Sequence, residues 1–505
     1  MTKIAKLAFG FLALGAMLMH LSNIWRLQTY PFIDLPNHLS EAYLFRALSN
    51  PGDPLQRYYK DEVTIFTPGI LHTVFCAQFR DVETGNRVFY SVYLVVMLLG
   101  MVLLVRQVKG DLWVALLSML MLYNFSTMFG FAAYDMALSL LLVAAVSLLR
   151  FNAKPTSSRA LVLGVLVLLL YYCHILVFFF ALFAFTAIII FQRGFTRKHL
   201  LGLLALVPGV IITFVWMSDS SSFQYSTLDF LLYYYHEEYV ETLVFRLSRI
   251  FSIDNPIAAG NAGELFSMAM ALPVFLGLIV GLILQKSDVS EEPGMKKARQ
   301  SMEVFLIVAI LCYLLAPNRL PEWSYFYERF SVVLLLGAIV VLSFVIPQKA
   351  LPQARICIAI LVIVHTVAWY LYFTDFNETA KPLRTLLYKN PEAVGRSLSA
   401  IIADHEFRGT AAFIHYQNYQ LVWNGGVIPA RFLEYRFHLF GKRSPDVLPD
   451  YHEWESTSRA GWLVNQYKTM DLLLCHGSSA LGDTVAARGY RLLQREDEWM
   501  LFGKK

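Results

Sequence analysis

The residues able to do chemistry in this chain are Asp34, His38, Asp135, His174, Glu328 and Arg329. Asp34 and His38 lie in Pro31-Phe32-Ile33-Asp34-Leu35-Pro36-Asn37-His38-Leu39, a short polar run directly after the first long apolar segment. If residues 34 to 38 open a second helix, the two side chains are one turn apart and face one shared space. The plain reading of Asp34 is a helix N-cap, with Pro36 in the first turn, where its missing N–H costs little. Capping and catalysis are compatible, and a carboxylate at the mouth of a helical bundle can take the proton from an attacking hydroxyl. His38 could orient that carboxylate, bind phosphate when protonated, or help to hold a metal.

Asp135 closes Gly130-Phe131-Ala132-Ala133-Tyr134-Asp135 and reads first as an acid offsetting a helix dipole. His174 reads first as a turn residue hydrogen-bonded to backbone between two short helices. Both nevertheless project toward the face where Asp34 is expected. In Trp323-Ser324-Tyr325-Phe326-Tyr327-Glu328-Arg329-Phe330 the two charges are the last before a long apolar run, where a charge is costly unless paired or at headgroup level. Arg329 there either snorkels beside a neighbouring acid or grips a phosphate, for which a guanidinium has the right donor geometry. His236-Glu237-Glu238 with Glu241 has no HExxH spacing, and Asp61-Glu62 is a weaker rival to Asp34. The absence of a P-loop, a dinucleotide fingerprint or a GxSxG elbow points away from soluble nucleotide cofactors.

The elements that must position these groups are membrane helices. Of 505 residues 57% are hydrophobic and only 16% charged, which is far from the balance of a soluble domain. The net charge of +5 is spread over short loops, so nucleic acid is excluded as a partner and topology is the better use of the basic residues. The five cysteines show no CxxC or His/Cys metal spacing. Apolar runs near 4–25, 88–106, 111–128, 131–149, 160–173, 175–191, 200–216, 264–285, 303–316, 330–347 and 356–374 predict about eleven spans. With that count the basic residues of alternate loops, from Lys3 and Lys6 through Arg106 and Lys109 to Lys349 and Arg355, fall on one side, which is then cytoplasmic. The N-terminal run lacks a small-residue cleavage site and ends on Trp25, so a retained helix is expected.

The other side receives residues 26–87, a tight turn near 129–135, the His174 turn, residues 217–263 and 317–329, and everything from Asp375 onward. Residues 35–49 and 67–79 are expected to form amphipathic helices on the membrane surface, and 223–251 an aromatic and basic surface for headgroups. The tail has the composition of a soluble α/β domain. Strands are expected at 411–415, 419–423, 470–474, 491–494 and 499–502, and helices near 391–405 and 456–468. The expectation is thus an all-α polytopic bundle, 1–374, with an extracytoplasmic α/β domain, 375–505.

The early Asp-Leu-Pro-Asn-His run, the large first outer loop with surface helices, the multi-span bundle, the Glu-Arg-Phe entry and the outer C-terminal domain together resemble the GT-C superfamily of membrane glycosyltransferases. The Trp-Trp-Asp signature of the oligosaccharyltransferases is absent, as is a paired Asp-Glu just after the first span. The resemblance implies an inner-membrane enzyme that moves sugar from a polyprenyl-phosphate carrier to an envelope acceptor, whether lipid, glycan or protein. It implies Asp34 as base, Asp135 and His174 as further site residues, and Arg329 on the carrier phosphate. A divalent cation, magnesium or manganese, would fall to Asp34 and Asp135. Two other readings belong to different classes: a transporter of lipid-linked glycans, which predicts inverted repeats and mid-membrane ionisable groups, and a non-catalytic envelope scaffold.

Overall fold

A computed structural model describes residues 3–191, 196–219, 246, 261–284, 293–316, 319–320, 323–324, 326–433, 439–452 and 457–505. The expected headgroup surface at 223–251, with His236, Glu237, Glu238 and Glu241, lies outside the described residues apart from Arg246.

Helix α1 (Lys3–Arg26) shows the logic of the bundle. Its exposed side carries Ile4, Leu7, Phe11, Leu14 and Leu18, while Ala16, Met17, His20 and Asn23 are turned inward. Large apolar groups outside and polar groups inside suit a hydrocarbon solvent. There follow α2 (Leu35–Leu48), β1 (Tyr59–Asp61), α3 (Leu71–Ala77), α4 (Val82–Gln107), a 3-10 stretch at Leu112–Met121, α5 (Phe125–Met128), α6 (Ala132–Ala153), α7 (Ser157–Cys173), α8 (Ile175–Phe191), α9 (Leu200–Asp219), α10 (Asn261–Leu284), α11 (Pro293–Leu315), β2 (Arg319–Leu320), β3 (Trp323–Ser324), α12 (Phe326–Val345) and α13 (Leu351–Leu387). Among the described residues seven helices are long and apolar enough to cross a membrane, and Leu112–Met128, α7, α8 and part of α10 are shorter apolar segments. The chain is a polytopic membrane protein. At the end of the bundle away from the first outer loop, Arg355 pairs with Asp111 and Arg299 Nε donates to Val108 O at 3.2 Å, so basic residues from distant loops gather there.

The expected division at His174 is present and has a local cause. The residue is extended, with φ −162° and ψ 124°, and its ring Nδ1 accepts the Leu176 N–H at 3.2 Å, capping α8. One polar residue therefore ends one short helix and starts the next without a loop.

The tail holds β4 (Leu398–Ile402), α14 (Tyr419–Asn424), β5 (Phe440–Lys442), α15 (Ala460–Gln466), β6 (Leu472–His476), α16 (Ser479–Ala486), β7 (Tyr490–Glu496) and β8 (Trp499–Lys504). The sheet order is β4-β6-β8-β7, with β4 parallel to β6 and the other pairs antiparallel. Helix α13 runs on to Leu387, thirteen residues or between three and four turns past the expected boundary at 374. Three local expectations are not met. Residues 398–402, placed in a helix, form a strand buried at every position; 419–423, placed in a strand, form a helix closed by Gly425 in the left-handed region at φ 62°; and 411–415, also placed in a strand, form turns leading into the 3-10 stretch at Tyr416–Asn418.

Tail and first outer loop form one body. Strand β1 pairs antiparallel with β5, Tyr59 with Lys442 and Asp61 with Phe440. Tyr416 Oη donates to Tyr30 O at 2.8 Å, Ser40 Oγ to Asn418 O at 3.1 Å, and Asn418 Nδ2 to Asn37 Oδ1. Helix α2 is consequently covered on its polar side too, Asn37, Ser40 and Glu41 being buried along with Leu35, Leu39 and Leu44. It is an internal helix between bundle and tail, not one lying on a membrane surface.

The turn before α6 closes against the start of α2. Ile33 N–H and Asp34 N–H donate to Met128 O and Phe129 O, each at 2.9 Å. Gly130 sits at φ +85°, and a Cβ there would lie 2.4 Å from Leu35 N and 2.9 Å from Asp34 N. Gly130→Ala is therefore expected to destabilise the protein by about 1–3 kcal/mol through backbone strain and displacement of the Asp34 backbone. Thermal unfolding in detergent measures the first effect, and loss of the activity proposed below reports the second.

Candidate active site

Asp34 stands at the entry to α2 with φ −89° and ψ −4°, but its carboxylate caps none of the helix N–H groups. The backbone carbonyl alone serves the helix, accepting His38 N–H at 3.2 Å. This leaves the carboxylate available. Its Oδ1 lies 3.2 Å from Nε2 of His415, a residue of the tail, and the two side chains are 28% and 1% exposed respectively. A carboxylate only accepts, so the facing Nε2 carries a proton. The other ring nitrogen, Nδ1, is 2.8 Å from Tyr451 Oη, which is itself 3.2 Å from Ile414 O. Burial works against the charge on Asp34, yet the His415 hydrogen bond and charge, with His38 and Arg431, hold its carboxyl below the usual aspartate range.

His38 does not bond Asp34. Its Nδ1 is 2.9 Å from Glu41 Oε2, one turn along α2. Burial disfavours the imidazolium, but Glu41 and Asp34 outweigh it and raise the His38 pKa above its usual value.

Arg329, in the first turn of α12, lies close enough for its charge to act on Asp34, on Tyr134 and on His174. Its guanidinium carbon is 4.2 Å from the centre of the Phe131 ring, and its backbone carbonyl accepts Tyr134 Oη at 2.6 Å. Nη1 is 3.2 Å from His174 Nε2, and Nε is buried without a partner. The His174 contact is chemically specific. Both ring nitrogens face a donor, Nδ1 the Leu176 N–H and Nε2 the Arg329 guanidinium, each at 3.2 Å, and a neutral imidazole accepts at only one of them. With the proton on Nε2, an anion at this place could accept from His174 and Arg329 together.

The structure thus brings Asp34, His38, His174 and Arg329 within electrostatic reach of one another. Asp135 is not part of that group. One residue on from Tyr134, it is turned about 100° around α6, fully buried, with Oδ1 3.5 Å from Asn124 Nδ2 and Oδ2 without a partner. Glu328 is partly buried with Oε2 unpartnered, and its carbonyl accepts Ser331 Oγ at 2.6 Å. A divalent cation does not fit the residues present: among the described residues no three of His, Cys, Asp and Glu converge, and Asp34 is surrounded by cations.

Sequence reasoning missed His415, Tyr451 and Glu41. Glu41 could have been found from its i,i+3 spacing to His38. Nothing local marks His415, which stands in a stretch with the look of a strand.

No protein-family model matches the chain, and no curated protein sequence does. Solved structures do. The fold they share is a mostly helical membrane bundle with a small C-terminal sheet domain. The chain is similar over 99% of its length, and over 98% of the other chain, to the crystal structure of ArnT from Cupriavidus metallidurans bound to undecaprenyl phosphate, with a TM-score of 0.52 at 9% sequence identity. A mycobacterial arabinofuranosyltransferase, AftD, is matched over 98% of this chain and 40% of that one, with a TM-score of 0.49 at 12% identity. Only the first is near enough to bear on the fold.

Proposed function

We propose that the protein is a membrane glycosyltransferase that moves a sugar from a polyprenyl-phosphate carrier to an envelope acceptor by a single inverting displacement. The observation that carries this reading is the contact of Arg329 with His174 beside a carboxylate that its own helix leaves uncapped. The first is built for an anion that leaves, the second for a proton that arrives. The likeness to a protein crystallised with undecaprenyl phosphate supports a polyprenyl phosphate as that anion.

In this mechanism the acceptor hydroxyl gives its proton to Asp34 while its oxygen attacks the anomeric carbon of the sugar. The bond from that carbon to the carrier phosphate breaks, and its electron pair stays on the phosphate oxygen. Arg329 and the His174 Nε2–H hold the resulting charge, with the His38 imidazolium adding to the field. The prenyl tail lies between spans. In this reading the site and the tail domain, 375–505, face the non-cytoplasmic side of the inner membrane and the N-terminus lies in the cytoplasm, an orientation supported by the basic residues of alternate loops.

A strain lacking the protein tests this directly. Mass spectrometry of its lipids is expected to show one polyprenyl-phosphate sugar accumulating and one envelope glycan shortened, both reversed by the wild-type gene. Unchanged lipid carriers and glycans would overturn the reading.

A further inference from the structure

The sequence resemblance assigns the tail no part in the chemistry, whereas the contacts around Asp34 do. We infer that His415 is a positioning residue for Asp34: its Nε2–H fixes Oδ1, so that Oδ2 is presented to the acceptor hydroxyl. This rests on the proposal that Asp34 is the base, and deepens it by making the C-terminal domain part of the catalytic centre.

The geometry makes the hold one-sided. His415 is buried and Asp34 is partly open, so the imidazole approaches from the protein side. Among the described residues Oδ2 has no hydrogen-bond donor. The ring itself is gripped at both nitrogens, Nε2 by Asp34 at 3.2 Å and Nδ1 by Tyr451 Oη at 2.8 Å, and cannot turn without breaking one of them. With Nδ1 unprotonated, the one Tyr451 hydroxyl proton goes to that nitrogen, and Ile414 O, 3.2 Å from Oη, is a second acceptor competing for it.

The backbone on either side of the contact is also fixed. Ile33 and Asp34 are bonded to the turn at Met128 and Phe129, and Tyr416 and Asn418 are bonded to Tyr30, Asn37 and Ser40. Carboxylate and imidazole are therefore set by independent anchors, and their contact is not the main fastening between tail and bundle. A purely structural tie would have little need of a three-member chain ending on the one uncapped carboxylate of the mouth. A base held by a buried donor, in contrast, meets its substrate in a single orientation.

The test uses the full-length protein with a purified polyprenyl-phosphate sugar and its acceptor. His415→Ala is expected to lower kcat by about 100-fold or more, the scale of a misdirected general base. KM for the acceptor and binding of free polyprenyl phosphate should change by less than about threefold. His415→Gln, which keeps an N–H near the place of Nε2, is expected to recover at least about a tenth of the wild-type kcat. Tyr451→Phe should fall between the two.

Three results decide the matter. Normal turnover by His415→Ala with an inactive Asp34→Asn would overturn the role of His415 and leave the base assignment standing. Equal losses in the Ala and Gln variants, with a lowered unfolding temperature or weakened phosphate binding, would show a structural tie only and also overturn it. An active Asp34→Asn would overturn the underlying reading, whatever His415 does.

Discussion

Asp34→Asn is expected to reduce sugar transfer by about 10²–10⁴-fold, the contribution of a general base, while the protein still folds and still binds polyprenyl phosphate. The asparagine is nearly isosteric, and it does not forfeit a helix cap, because the carboxylate makes none. It can still accept the His415 Nε2–H through its amide oxygen. What it cannot do is take a proton. The same assignment fixes the pH dependence. A base works ionised, and the Asp34 carboxyl titrates below the ordinary aspartate range. Turnover should therefore persist as pH falls through that range and be lost only below it. His38, whose pKa is raised, loses its charge on the alkaline side of its usual value. Rates measured across pH with the purified protein check both limbs, and wild-type turnover by the Asn variant would remove Asp34 from the mechanism.

Arg329→Ala is expected to cost about 10²–10³-fold in kcat, as for removal of one preorganised donor from a developing oxyanion, and to weaken binding of free polyprenyl phosphate. The leaving phosphate would keep the His174 Nε2–H but lose the guanidinium. Arg329→Lys keeps the charge without the planar fork and should recover only part of the loss. The guanidinium also lies over the rings of Phe131 and Tyr134, so the unfolding temperature of the variant should be measured beside its activity. Direct binding measurements with polyprenyl phosphate separate this role from that of Asp34: the arginine variant should fail to bind tightly, and the aspartate variant should bind normally. Unaltered affinity and rate in Arg329→Ala would sink the phosphate assignment.

Much of this was legible in the chain. Long apolar runs located the bundle, because a membrane helix announces itself by length and composition. The break at His174 was legible for the same reason, a single polar residue in an apolar stretch. The local errors came from short segments. Leu398–Ile402 reads equally well as a piece of helix or as a strand buried on both faces, and its pairing with Leu472–His476 decides the matter. The sheet partners lie far apart in sequence, so no window contains the answer.

The site was half legible on the same principle. Asp34, His38, His174 and Arg329 each stand out as charges or imidazoles at the ends of apolar runs. His415 does not, because its surroundings are those of an ordinary soluble domain and its partner is across the molecule. The bond between Asn37 and Asn418, next to it in space, already joins positions 381 residues apart. Asp135 shows the converse. Its place at a helix start pointed to the mouth, but one residue of helical rotation gave that direction to Tyr134 and turned the acid inward.

The clamp between Tyr30 and Tyr416, together with the ladder of β1 and β5, also sets a timetable. Asp34 is made with the first membrane helix, and the His415 ring that contacts it is made only after the last helix. Until then the nascent chain holds Asp34 without that contact. A chain stalled after the last span but before residue 415 would hold its helices in the membrane and, on the proposed mechanism, remain idle.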